Sequence, residues 1–262
     1  MARVAGNDNA GQIIYGLHAV REAVRSGSRP LLRIMVVRED RQYTDLVRSA
    51  RAARIPIHVE PQAALDRLVP GGRHQGIAAL VAAKSYVDLD DILNHARARS
   101  EPAFLVILDG VEDPQNLGAI CRSAEAAGAH GVFIPERRSA GLTGAVARAS
   151  AGALEHLRVG CVTNVSRLIE SLKEAGVWVY GLDETAQKPY TMLDLKGPVA
   201  LVLGGEGKGV RPGVLEKCDD RARIPMAGQI SSLNVSAAAA VALFEAVRQR
   251  AAGTPGKNST GA

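Results

Sequence analysis

From Ala103 onward, short runs of branched and aromatic residues alternate with stretches of helical periodicity, and this alternation restricts the fold more than any other feature. Phe104–Asp109, Gly131–Ile134, Val177–Gly181 and Val199–Leu203, with a shorter run near Arg221–Ile224, read as strands. Leu117–Ala127, Thr143–Ala149, Val165–Ala175, Pro212–Glu216 and Leu233–Arg250 read as helices between and after them. The strand runs are apolar on both faces, as a sheet covered on both sides requires. Strands separated by helices pair in parallel through crossovers, so the expectation is an α/β fold with a mostly parallel sheet.

A smaller α/β series precedes it in residues 13–84. Gly16–Ser26 reads as a helix with Leu17, Val20 and Val24 on one face, Leu31–Val37 as a strand and Tyr43–Arg54 as an amphipathic helix. Ile57–Val59 follows as a short strand, Gln62–Val69 as a helix opened by Pro61, and Gly76–Ala83 as a closing strand. Between the two series, 85–102 is polar and ends in Ser-Glu-Pro, the composition of a linker, with Asp88–Ala98 partly helical. Residues 1–12 are expected as a flexible N-terminus and 252–262, without an apolar anchor, as a disordered tail. The larger series then spans 103–251.

Charge separates the two series. Residues 1–84 hold 13 Lys and Arg against 7 Asp and Glu, whereas 85–262 hold 19 against 20, so the whole net charge of +5 comes from the first third. That asymmetry suits a nucleic-acid-facing module joined to a nearly neutral one, although a solvated basic surface has the same composition. Arg21, Arg25, Arg29, Arg48, Arg51 and Arg54 are the residues expected at phosphates. Only Tyr15 and Tyr43 offer tyrosine rings there, which favours recognition of a structured nucleic acid by shape over base stacking. The apolar run Ala237–Phe244 is too short to cross a bilayer, and the N-terminus lacks the apolar stretch of a secretory signal. Three cysteines without a C-x-x-C pair argue against a disulfide framework and against zinc. A cytoplasmic protein without membrane partners is expected.

Three loops that follow strands carry most of the polar and glycine residues of the larger series. They are LDGVEDPQNLGAICRSAEAAGA (108–129), LVLGGEGKGV (201–210) and IPMAGQISSLNVSAAAAVALFEAVRQR (224–250). Loops beyond strand C-termini are where α/β sheets bind ligands. GGEGKG has neither the G-x-G-x-x-G spacing of a dinucleotide fold nor the G-x-x-x-x-G-K-[ST] order of a phosphate loop. Read singly, the glycines are tight turns, Asn116, Ser232 and Asn234 are helix caps, Glu206 is a solvated carboxylate, and Ile224, Met226 and Leu233 are core.

Taken together and in this order, the three motifs closely resemble the signature of the SpoU/TrmH family of RNA ribose 2′-O-methyltransferases in the SPOUT superfamily. Asn116, Gly118, Ala119 and Arg122 match N-x-G-A-x-x-R; Gly204, Glu206, Gly207 and Gly209 match G-x-E-G-x-G. Ile224, Pro225 and Met226 with Ser232, Leu233, Asn234, Val235 and Ser236 match I-P-M…S-L-N-V-S. Residues 13–84, with IIYGLHAV and HQGIAALV, resemble the family's small substrate-binding domain of the ribosomal protein L30e type. Within the family the chain is most similar to the RlmB subgroup, whose members modify a guanosine of 23S ribosomal RNA.

The resemblance implies a SPOUT-type knotted α/β methyltransferase domain, a homodimer formed through that domain, S-adenosylmethionine as methyl donor and ribosomal RNA as partner. Transfer RNA as substrate, or a catalytically silent ribosome-assembly factor, are the alternatives. It assigns Arg122, Asn116, Glu206, Ser232 and Asn234 to the catalytic cluster, and Gly204, Gly205, Ile224, Met226 and Leu233 to the cofactor pocket. Methyl transfer is an in-line displacement that needs no metal, and the six histidines are scattered without ligand spacing. A guanidinium stays protonated at ordinary pH, so Arg122 suits positioning and charge stabilisation better than proton abstraction. Cys121, beside it, reads as an apolar helix residue, since the displacement needs no covalent intermediate.

Overall fold

The computed structural model describes residues 11–38 and 40–252. Most of the expected flexible N-terminus and tail, 1–10 and 253–262, lies outside these residues. The chain forms two compact units that do not divide it at a single point. The first gathers the chain up to Ser85 with Asp113–Arg122 and Ala140–His156; the second holds Tyr86–Glu112, Ser123–Ser139 and the chain from Leu157.

In the first unit, β1 (Gln12–Tyr15), β2 (Leu31–Val36), β3 (Ile57–Val59) and β4 (Ile77–Val81) form a sheet in the order β1-β4-β2-β3. β4 runs antiparallel to both of its neighbours, and β2 pairs in parallel with β3. The helices α1 (Leu17–Ser26), α2 (Thr44–Ala52) and α3 (Gln62–Leu68) bury small and branched residues such as Val20, Ala23, Leu46 and Leu65. α1 turns Ala19, Val20 and Ala23 fully inward, while Leu17 and Val24 of the expected face are only half-buried. The four-residue β1 was not expected from the sequence; it forms along the edge of β4.

In the second unit every strand pairing is parallel, in the order β10-β8-β9-β5-β6-β7. The strands are β5 (Phe104–Asp109), β6 (Gly131–Pro135), β7 (Val159–Val162), β8 (Trp178–Leu182), β9 (Val199–Gly204) and β10 (Asp220–Ala222). β5 is buried along its whole length, as its unbroken apolar run requires. The stretch expected as a linker, 85–102, carries α4 (Leu89–Ala98), opened by a reciprocal capping box between Asp88 and Asp91. Ile92, Leu93 and Ala96 of α4 belong to the core together with Leu105, Phe133, Ile169 and Val202. α7 (Val165–Glu174) and α8 (Pro212–Leu215) join that layer, and α9 (Val235–Ala252) ends the described chain. Two more helices, α5 (Pro114–Ala126) and α6 (Gly144–Ala149), lie between β5 and β7 in sequence.

The chain steps from β5 to β6 and β7 on one side, then returns to β8, β9 and β10 on the other. The direction of winding therefore reverses between β5 and β9, the place where loops diverge and leave a crevice beyond the strand C-termini. No helix among the described residues is long and apolar enough to cross a membrane.

Candidate active site

The loop after β9 folds back tightly enough that Gly205 and Gly209 form an isolated bridge. A Cβ on Gly204 would meet the Gly209 carbonyl carbon at 1.8 Å, and one on Gly205 would meet the Gly110 oxygen at 1.9 Å. Both positions thus demand glycine for backbone packing, independently of any ligand. The loop is tied down by Asp109 at the end of β5, a side chain only 1% exposed. Its carboxylate accepts the Arg211 backbone N–H at 2.9 Å and the Arg211 guanidinium at 2.6 and 2.9 Å, while its backbone oxygen accepts the Gly205 N–H at 3.0 Å. In return Asp109 holds the Arg211 guanidinium above its usual pKa, chiefly by hydrogen bonding. Sequence reasoning missed both residues; the only hint of a role is an acidic side chain ending a wholly apolar strand.

Asn234 joins this loop to α9. Its Oδ1 accepts the Ser236 N–H at 2.9 Å, capping the helix, and the Ser236 hydroxyl at 2.6 Å. With Oδ1 so engaged, the amide nitrogen is turned to Glu206, whose Oε1 accepts it at 2.8 Å. Asn234 is therefore a cap, as its local sequence suggests, and also a support for Glu206, a contact that the sequence did not suggest.

Around these residues lies a cavity of about 640 Å³ at the C-terminal ends of β8, β9 and β10. Its wall contains Gly204, Gly205, Glu206, Ile224, Met226, Ser232, Leu233 and Asn234, so eight of the ten expected site residues line one space. Leu182 and Leu203 add apolar wall. Asp183, Glu184 and Thr185, after β8, also line it and were not anticipated. Asp183 is folded in by accepting the Thr185 N–H at 3.0 Å. The remaining two, Asn116 and Arg122, stand on α5 in the first unit, six residues and about 120° apart around the helix. Asn116 is 7% exposed and Arg122 lies open to solvent. Between them Cys121 is fully buried, and that burial drives its thiol pKa up to about 12, far from a nucleophile's.

A profile of the SpoU rRNA Methylase family matches residues 103–244, more than half of the chain. The chain belongs to the SpoU rRNA methylase family. A second profile, for substrate binding by RNA 2′-O ribose methyltransferases, matches residues 13–87. The SpoU relative 23S rRNA (guanosine-2′-O-)-methyltransferase RlmB of Shewanella oneidensis MR-1 is 42% identical over 91% of this chain and 97% of its own. YacO of Bacillus subtilis strain 168, named for the TrmH family, is 44% identical over 90% of this chain and 95% of its own. The fold is similar to that of the SpoU methyltransferase AviRb from Streptomyces viridochromogenes in complex with the cofactor AdoMet. That match has a TM-score of 0.76 and 29% identity, covering 95% of this chain and 96% of that one.

For a SpoU protein that must hold RNA, one expected phosphate contact needs correction. Arg29 is buried, its side chain 6% exposed, and its guanidinium is occupied by Glu155 at 2.6 and 3.0 Å. Tyr43 is also unavailable for stacking, being buried with its hydroxyl donating to the Gln75 carbonyl. Arg25, Arg48, Arg51 and Arg54 are exposed, and Arg21 is half-buried. Among the described residues no group of three or more His, Cys, Asp or Glu could hold a metal ion.

Proposed function

We propose that this chain transfers a methyl group from S-adenosylmethionine to a ribose 2′-hydroxyl of RNA, at a guanosine of 23S ribosomal RNA. The observation that carries the reading is the single cavity in which the second and third SpoU motifs meet, at the end of a parallel sheet. About 640 Å³ accommodates a nucleoside-sized ligand. Leu203, Ile224, Met226 and Leu233 suit its apolar rings, and the backbone of 204–209 suits a purine edge. Asp183, Glu184 and Glu206 outnumber Lys208 and Arg223 in the cavity wall, a balance that favours a sulfonium cation. The RlmB relative supports guanosine in 23S RNA as the target.

S-adenosylmethionine supplies a methyl group on a positively charged sulfur. Its transfer to the 2′-oxygen would require this chain's residues to orient the hydroxyl and accept its proton. Arg122, always protonated, orients the hydroxyl or its phosphate and stabilises the developing negative charge. Glu206, held in place by Asn234, receives the proton, with Ser232 on the same cavity wall, and Asn116 takes the polar role that the first motif assigns to it. Exposed Phe244, Met192 and Ile230, at 48%, 71% and 74%, support a homodimer formed through the second unit. We place the enzyme in the cytoplasm, where its RNA is made.

The test is incubation with methyl-labelled S-adenosylmethionine and undermethylated 23S ribosomal RNA or transfer RNA, followed by nucleotide mapping. The expected product is 2′-O-methylguanosine in the ribosomal RNA. Label in neither RNA, together with no binding of S-adenosylmethionine, refutes the proposal; label confined to transfer RNA refutes its substrate.

A further inference from the structure

We infer that Arg29 and Glu155 are a positioning pair that fixes the helix bearing Arg122 to the RNA-binding sheet, an inference that rests on the function proposed above. Both side chains are almost wholly buried, at 6% and 2% exposure. An ion pair so far from water contributes little net stability, and its value lies in imposing one arrangement on the elements it joins.

The arrangement is well determined. The Arg29 Nε and Nη2 donate to the two Glu155 oxygens at 3.0 and 2.6 Å, and Nη1 donates to Gln12 Oε1 at 2.7 Å and the Ala82 carbonyl at 3.0 Å. Ser28 adds a hydroxyl donor to Glu155 at 2.9 Å. Gln12, its oxygen taken by Arg29, donates its amide to the Leu142 carbonyl. The segment 140–156 is thereby held at one end by β1 and at the other by the loop that enters β2, both within the substrate-binding profile, although it lies inside the methylase profile. Close packing fills the interval. Gly144 lies where a Cβ would be 2.2 Å from the Ile13 carbonyl oxygen.

The next contact leads to the catalytic arginine. A Cβ on Gly118 of α5 would meet the Cβ of Ala149, the last residue of α6, at 2.3 Å, so the two helices touch without slack. Arg122 stands four residues after Gly118, one turn on along the same face. Displacing 140–156 therefore displaces the surface against which the Arg122 helix rests. The cofactor cavity, lined wholly by residues of the second unit, has no part in this chain of contacts.

Glu155→Gln tests the inference, because the amide places an N–H donor against the Arg29 donors at unchanged volume. Ser28→Ala removes one bond only and serves as the mild variant should Glu155→Gln fold poorly. With saturating RNA we expect kcat to fall about tenfold for Glu155→Gln and about twofold for Ser28→Ala, with the Kd for S-adenosylmethionine within twofold of wild type, as a remote positioning loss requires. Glu155→Asp should recover part of the lost kcat. Hydrogen exchange, which needs no activity, should show faster exchange of the α6 amides in Glu155→Gln. Unchanged kcat and unchanged α6 exchange overturn the inference, as does loss of cofactor binding in proportion to kcat, the mark of general unfolding. An inactive wild-type enzyme whose α6 exchange still responds to Glu155→Gln refutes the proposed function and leaves the positioning contact standing.

Discussion

Arg211→Ala isolates the contact that shapes the glycine loop. Breaking a buried ion pair by removing one partner costs about 3–5 kcal/mol. Here the Arg211 side chain is 51% exposed, so its charge is largely hydrated already, and the residue 211 N–H still serves Asp109 after truncation. Both facts lower the loss to about 2 kcal/mol, the cost of a few charge-assisted hydrogen bonds around a buried carboxylate. A domain of this size should then melt about 4–8 °C lower. Because Asp109 and Arg211 brace the loop of Gly205 that walls the cavity, we expect, besides that stability loss, a tenfold weaker Kd for S-adenosylmethionine, about 1.4 kcal/mol. Arg211→Lys keeps the charge without the two-pronged geometry and should fall between. Titration calorimetry for the cofactor and a thermal melt on the same samples separate the two effects. A variant that melts early yet binds S-adenosylmethionine within twofold of wild type would refute the idea that the pair shapes the cavity.

Asn234→Asp keeps a capping oxygen for the Ser236 N–H but sets a second carboxylate against Glu206, so turnover should fall at least tenfold, a loss of about 1.4 kcal/mol, while the melting temperature moves little; equal activity counts against Glu206 as proton acceptor. Burial holds the His130 pKa below its usual 6.5, and its Nδ1 accepts the Phe104 N–H at 3.0 Å. The unfolded chain therefore takes up the proton first. This part of the stability is complete above pH 6.5 and is lost as pH falls toward the folded pKa. Urea unfolding between pH 8 and pH 5, the range that brackets histidine titration, should show that slope in wild type and a flatter one in His130→Asn. Cys121 and Cys218, their thiols pushed up to about 12 and about 11 by burial, should resist a thiol reagent in the native protein at mildly alkaline pH and react on unfolding. Peptide mapping that finds Cys121 labelled in the folded state contradicts its burial.

Elements whose stabilising pattern is local were readable in the sequence. Phe104–Asp109 is a strand with the expected ends, because five apolar residues in a row, Phe104 to Leu108, suit a doubly covered strand. Thr143 caps α6 through its own hydroxyl, a bond that spans three residues. β1 and β7, four residues each, passed unnoticed; they are strands because β4 and β6 offer them an edge, which no local window contains. The two loop motifs that line the cavity could be recognised as loops beyond strands, yet nothing within either one shows that they face each other.

The sequence by itself determined where the chain turns helical or extended, the order of the SpoU motifs, and the basic surplus of the first third. Tertiary structure alone decided which charged residues face water. Arg29 sits among surface arginines in the sequence and is buried against Glu155, 126 residues away; Asp109 and Arg211 meet across 102 residues. Periodicity and capping depend on neighbours within a turn or two, whereas the fate of a charge depends on the desolvation and the partner it meets once remote segments pack. That is why the cavity's ingredients were visible in advance and the ion pairs that hold them in place were not.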